Sequence, residues 1–147
     1  MTSKLRIAAA QPVANSRSLI LDWNNGKRHT VDLSAYIDQF EALTPLKDET
    51  LFGQVTLGGW GFDVSWGNDI ELAASTLHRL ALEQAGEVMP TRDFKQWMEK
   101  NNLSLSAAAL ELGFTRRTIT AYSSGAALIP KHVALACRGW EYEHSPR

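Results

Sequence analysis

The run Leu105–Gly125, LSAAALELGFTRRTITAYSSG, constrains this chain more than any other segment. Its apolar spacing and its glycines fit two short helices joined by a sharp turn. Ser104 stands where an N-cap is expected, and the alanine-rich run behind it favours helix. Ala108, Ala109 and Leu112 share one face, where small side chains let a second helix cross closely. Gly113 falls where the chain must leave the first helix, a position favouring left-handed backbone that glycine adopts cheaply. Thr115 is placed to cap the second helix, whose inward face is Ile119 and Tyr122 at i and i+3. Arg116, Arg117, Thr120, Ala121 and Ser124 then form its outward face. No acid occurs between Glu111 and Glu141, so a phosphate would meet little repulsion there. The plain alternative is a helical hairpin packed inside a domain.

The spacing can be set against a known family. Ala109 precedes Gly113 by four residues, and Ile119 and Tyr122 follow it by six and nine. The run Thr115–Gly125, with its terminal glycine, resembles the recognition helix of repressor and Cro-like helix-turn-helix domains. The resemblance implies that Arg116, Arg117, Thr120 and Ala121 face the major groove of DNA. In that pose Thr115 is expected to meet a phosphate, because a helix N-terminus attracts anions, and Thr120 and Ser124 to add hydrogen bonds.

Length and charge bear on this reading. A chain of 147 residues holds one ordinary domain or two small ones, and 44% hydrophobic residues with five tryptophans suffice for folded cores. Net charge is −1, but it is unevenly spread. Residues 1–86 carry seven Lys/Arg against ten Asp/Glu (−3), and residues 87–147 carry eight against six (+2). An acidic front and a basic back suit contact with DNA through the back half. Cys137 is the sole cysteine, which excludes an internal disulfide and suits a reducing cytoplasm. Its neighbours Val133, Ala134, Ala136 and Trp140 mark it as a small buried residue, with no His partner for nucleophilic work. The N-terminal stretch MTSKLRIAAAQPVANSR is too short and interrupted for a signal peptide. No run approaches the ~18 apolar residues of a membrane span.

The front half reads as short strands and helices. Ile7–Val13 is an expected strand, and residues 18–23 and 28–33 flank Asn24-Asn25-Gly26, a hairpin signal, with Leu19, Leu21 and Trp23 alternating inward. Ser34 is expected to cap a helix over residues 35–43 with Tyr36, Ile37, Phe40 and Leu43 as its stripe. Residues 48–52 fit one more helical turn. Residues 53–57 and 62–66 fit a second strand pair around the flexible loop Gly58-Gly59-Trp60-Gly61, and residues 75–84 fit a helix packing through Leu77, Leu80 and Leu82. The order of these elements resembles the small α+β family catalogued as DUF2442, above all at LKDETLFGQV and WGNDIEL. The resemblance covers about residues 5–83 and carries no assigned activity. It does imply a fusion to a C-terminal helix-turn-helix and a place beside toxin-like partners.

The boundary is expected at Ala85–Pro90, giving domains 1–86 and 87–147. Behind it, residues 91–101 offer Phe94, Trp97 and Met98 at helical spacing, and a last helix after Ile129-Pro130 offers Val133, Cys137 and Trp140. No cofactor is expected, because the glycines at 58–61 lack a nucleotide fingerprint. No metal is expected either, because His29, His78, His132 and His144 are scattered. Asp63, Asp69 and Glu71 read as a solvated turn rather than a catalytic acid pair, so no enzyme is expected. Trp23 and Trp66 are assigned to the core, and Trp60 at a loop tip to interaction. The resulting expectation is an α+β protein acting as a cytoplasmic, homodimeric, sequence-specific DNA-binding regulator, with double-stranded DNA as partner and an N-terminal domain free for a protein. The alternative is an antitoxin-like interaction module whose helices never touch DNA.

Overall fold

Alternating burial of Leu19, Leu21 and Trp23 fixes the register of the first sheet. In a computed structural model describing residues 4–67 and 69–145, β1 (Ile7–Pro12), β2 (Ser18–Trp23) and β3 (Arg28–Asp32) form an antiparallel meander. The start of the N-terminal stretch, residues 1–3, lies outside the described residues, as do Asn68 and residues 146–147. At the hairpin, Gly26 N–H reaches Trp23 O (3.0 Å) and Trp23 N–H reaches Lys27 O (2.8 Å). The loop therefore spans Asn24–Gly26 with the glycine left-handed, one residue longer than a two-residue Asn-Gly turn.

Helix α1 (Ser34–Gln39) stops a turn earlier than the spacing predicts and gives way to a 3-10 helix over Glu41–Lys47. Pro45 sits inside that stretch and removes a backbone donor. Ser34 does not cap α1; the residue before it, Leu33, holds that position, and Asp32 Oδ1 accepts from Ser34 N–H at 2.9 Å. Asp48 does cap α2 (Glu49–Phe52), accepting from the Thr50 and Leu51 N–H groups at 2.8 and 3.2 Å. A second antiparallel sheet follows, β4 (Thr56–Leu57), β5 (Asp63–Ser65) and β6 (Glu71–Ala73). The strand pair is shorter than expected and gains β6, which the periodicity did not reveal. Helix α3 (Ala74–Gln84) buries Ala74, Leu77 and Ala81, so Ala81 takes the inward place expected of Leu82. Leu80 packs at the edge of this core.

Two features of this first unit depart from the sequence reading. The loop Gly58–Gly61 is not free. A side chain on Gly61 would lie 2.3 Å from Ile7 O, and one on Gly58 would lie 1.6 Å from Asp63 Oδ1. Trp60 between them has φ +71° and is 82% exposed. The histidines are not all scattered either. His29 and His78 both pack on Trp23, whose Nε1 donates to His29 Nδ1 at 2.8 Å. Trp23 and Trp66 are buried, and Trp66 Nε1 donates to Phe52 O at 2.9 Å.

The chain divides into two compact units between Ala81 and Leu82, inside α3. The second unit holds β7 (Val88–Met89), α4 (Thr91–Lys100), α5 (Leu105–Leu112), α6 (Arg116–Ser124), β8 (Ile129–Pro130) and α7 (Lys131–His144). Its core is Phe94, Trp97, Met98, Ala108, Ala109, Ile119, Tyr122, Ile129, Val133 and Cys137. The whole is α+β. Among the described residues, no helix is long and apolar enough to cross a membrane.

Gly61→Ala is expected to destabilise the fold by about 1–3 kcal/mol, because φ is +76° and backbone lies in the way. Gly59→Ala, with nothing within 4 Å, is expected to be close to neutral; urea denaturation of both variants checks the contrast. Burial pushes the Cys137 thiol from 9.0 to about 12. Between those values the unfolded chain sheds a proton that the folded chain keeps, so stability should fall as pH rises from 9 towards 12. Cys137→Ser should flatten that part of the profile in pH-dependent unfolding.

Candidate nucleic-acid interface

The geometry of the α5–α6 pair follows from local chemistry at three positions. Ser104 Oγ accepts from Ala107 N–H at 3.0 Å and starts α5. Gly113 ends it in the left-handed region (φ +78°, ψ +28°), with its N–H on Ala109 O. Thr115 Oγ1 then accepts from Thr118 N–H at 3.1 Å and starts α6, only two residues after Gly113. Between them Phe114 N–H returns to Ala109 O at 2.9 Å, closing the turn. A cap of this kind contributes about 1 kcal/mol, and a left-handed glycine removes the strain that a side chain would add.

Burial sorts the two faces of α6. Ile119 is fully buried and Tyr122 nearly so, Tyr122 meeting the edges of Phe94 and Phe114 at ring distances of 5.8 Å. Ala108 and Ala109 of α5 are buried too, so α6 closes onto small side chains at the middle of α5, with Leu105 and Leu112 packed beside them. Arg116, Arg117, Thr120 and Ser124 are exposed and Ala121 is half-buried. Arg117, Thr120, Ala121 and Ser124 lie away from Ile119 and Tyr122, and Arg116 lies at the flank of that face.

The side chains differ in how committed they are. Arg116 and Arg117 form no ion pair or side-chain hydrogen bond among the described residues. Thr115 uses its hydroxyl on the cap and against Thr118 Oγ1 at 3.0 Å, which leaves it less available to a phosphate than the sequence reading supposed. Thr120 Oγ1 donates to Arg116 O (2.9 Å), and Ser124 Oγ donates to Ala121 O and accepts from Ala126 N–H (both 3.3 Å). The last acid before this stretch, Glu111, accepts from Trp140 Nε1 at 2.8 Å. Arg116 and Arg117 occupy the first turn of α6, where the positive end of the helix dipole disfavours cations by roughly 0.3–1 kcal/mol each. An anion near that end would relieve this cost.

The other residues weighed in the sequence do not assemble. On β5 and β6 the register sets Asp63 across from Ala73 and Glu71 across from Ser65, so the two acids sit at opposite ends of the ladder. Among the described residues, no three His, Cys, Asp or Glu side chains are grouped to hold a metal.

Comparison with known proteins adds two findings. The chain is similar over 96% of its length to the crystal structure of a "putative DNA binding protein" from Nitrosomonas europaea, with 32% identity, a TM-score of 0.56 and 90% of that chain covered. No curated protein matches it. The model of the family described as "Protein of unknown function (DUF2442)" matches residues 7–83, from the start of β1 to the last turn of α3, and stops short of the α5–α6 pair. On that match, which spans just over half its length, the chain belongs to the DUF2442 family.

Proposed function

We propose that the second unit binds double-stranded DNA with α6 in the major groove, and that the protein is a sequence-specific transcriptional regulator working as a dimer in the cytoplasm. The observation that carries this reading is the outward face of α6. Two arginines without a partner among the described residues stand at the positive end of a helix that a short left-handed turn and a threonine cap hold against α5. The likeness to a protein described as DNA-binding supports it across both units. Arg116 and Arg117 are the guanine or phosphate contacts, with Thr120, Ala121 and Ser124 lining the same face and the N-terminal end at Thr115 nearest a phosphate. One helix makes few contacts, so tight binding calls for a second copy on a two-fold site. Binding of this kind involves no catalytic step, cofactor or metal.

A second reading rests on Trp60. An indole 82% exposed on a strained turn, beside partly exposed Leu57 and Phe62, suits a protein partner for the first unit. On that reading the helices are scaffold, and the full chain shows no DNA binding even at low salt.

Fluorescence anisotropy with genomic fragments distinguishes the two. Arg116→Ala and Arg117→Ala should each weaken binding by about 1–3 kcal/mol if the side chain reads a base, or lower the salt slope by about 1 if it meets a phosphate. Neither substitution should lower thermal stability, because each removes a cation from the positive end of α6. Unchanged affinity in the double variant would place the contact elsewhere.

A further inference from the structure

Helices α4 and α7 both start from the β7–β8 ribbon, and an open cavity of about 660 Å³ lies between them. Its volume is that of a small-molecule site, for which roughly 300–1,000 Å³ is usual. Met89, Trp97, Leu135 and Cys137 give it apolar walls, and the Lys100–Glu141 ion pair (2.8 Å) lies at the end away from the ribbon. All of these residues belong to the second unit, and none is on α6.

Trp97 supplies the second observation. It is 4% exposed, and its Nε1 is enclosed with no acceptor among the described residues. Trp23, Trp66 and Trp140 each donate instead, to His29 Nδ1, Phe52 O and Glu111 Oε2. A buried donor left without an acceptor is rare in folded proteins and costly, and an acceptor brought in from outside removes the cost.

Charge narrows the kind of acceptor. The charged side chains on the walls are Lys100, Lys131, Arg138, Asp93 and Glu141, of which Lys100 and Glu141 neutralise each other. Lys131 and Arg138 on α7 and Asp93 on α4 form no ion pair or side-chain hydrogen bond among the described residues. Two uncommitted cations against one uncommitted acid leave an excess of one positive charge. The Arg138 charge is felt at the Cys137 thiol, where it opposes the effect of burial. Leu135 is 59% exposed, so the same walls hold apolar surface that a ligand can cover.

We propose that this cavity binds a small organic monoanion, a carboxylate carried on a flat apolar or aromatic body. The Arg138 guanidinium holds the carboxylate, which also accepts from Trp97 Nε1. Because Nε1 is enclosed in the empty cavity, the indole tilts as the carboxylate arrives. The apolar body lies against Met89 and Leu135 and takes the latter out of water. The site stands whether or not α6 meets DNA.

Titration of the labelled full chain with naphthoate, followed by NMR, tests the site. The indole N–H signal of Trp97, identified as the one missing from Trp97→Phe, should shift and saturate together with the amides of residues 134–138. The dissociation constant should be about 1 mM or lower, the range open to a ligand of about a dozen heavy atoms. The uncharged analogue naphthylmethanol should bind about tenfold more weakly, and Arg138→Gln should bring naphthoate down to that level. Arg138 is exposed, so this variant should keep the dispersed spectrum of the folded chain. Four results would each overturn the proposal. They are no saturable shift with naphthoate, shifts that spare Trp97 and residues 134–138, equal binding of naphthylmethanol, and an Arg138→Gln variant that still prefers the anion.

Discussion

The close crossing of α5 and α6 is the constraint on which the second unit depends. Ala108 and Ala109 put small side chains at the middle of the inner face of α5, and Ile119 of α6 is fully buried. The turn must then reverse the chain within Gly113, Phe114 and Thr115. Gly113 supplies the left-handed backbone, and Thr115 satisfies one of the free N–H groups of the next helix, that of Thr118. Once Ile119 and Tyr122 point inward, the helical repeat turns Arg117, Thr120 and Ser124 outward and leaves Arg116, one turn before Ile119, exposed at the flank. The candidate interface is thus a by-product of how the core closes.

The first unit solves a different problem. Its strands are short, and two small sheets must be tied into one core. Close backbone approach does part of this, with Gly61 of the second sheet's loop against Ile7 of β1. Side-chain donors to backbone carbonyls add to it, as with Trp66 Nε1 on Phe52 O and the Arg17 guanidinium on Lys47 O. Such a turn can hold Trp60 in a conformation that few non-glycine residues adopt, with its indole outward. The presentation of an apolar side chain by a rigid frame is what keeps an interaction role for this unit open.

Legibility in the sequence followed the range of the forces involved. The caps at Ser104 and Thr115, the left-handed Gly113, and the buried alternation of Leu19, Leu21 and Trp23 are all set within a few residues, and reading along the chain finds them. What escaped was set at a distance. Strand β6 is three residues long and β7 and β8 two each, too short for a period to show, and β7 pairs with β8 some forty residues on. The inward Ala81, the packed Gly58–Gly61 turn and the contact of His29 and His78 with Trp23 each depend on which distant backbone comes near. At the candidate site the identity and facing of the arginines were readable, whereas the engagement of Thr115 in its cap required the geometry.

The central claim is that the outward face of α6 is where this chain meets DNA. Backbone amide chemical shifts of the labelled full chain, followed by NMR during titration with a bound genomic fragment, test it most directly. The account predicts the largest shifts at residues 115–124, with the amides of β1 to β3 little changed. Shifts confined to the first unit around Trp60, with residues 115–124 unmoved, would contradict it.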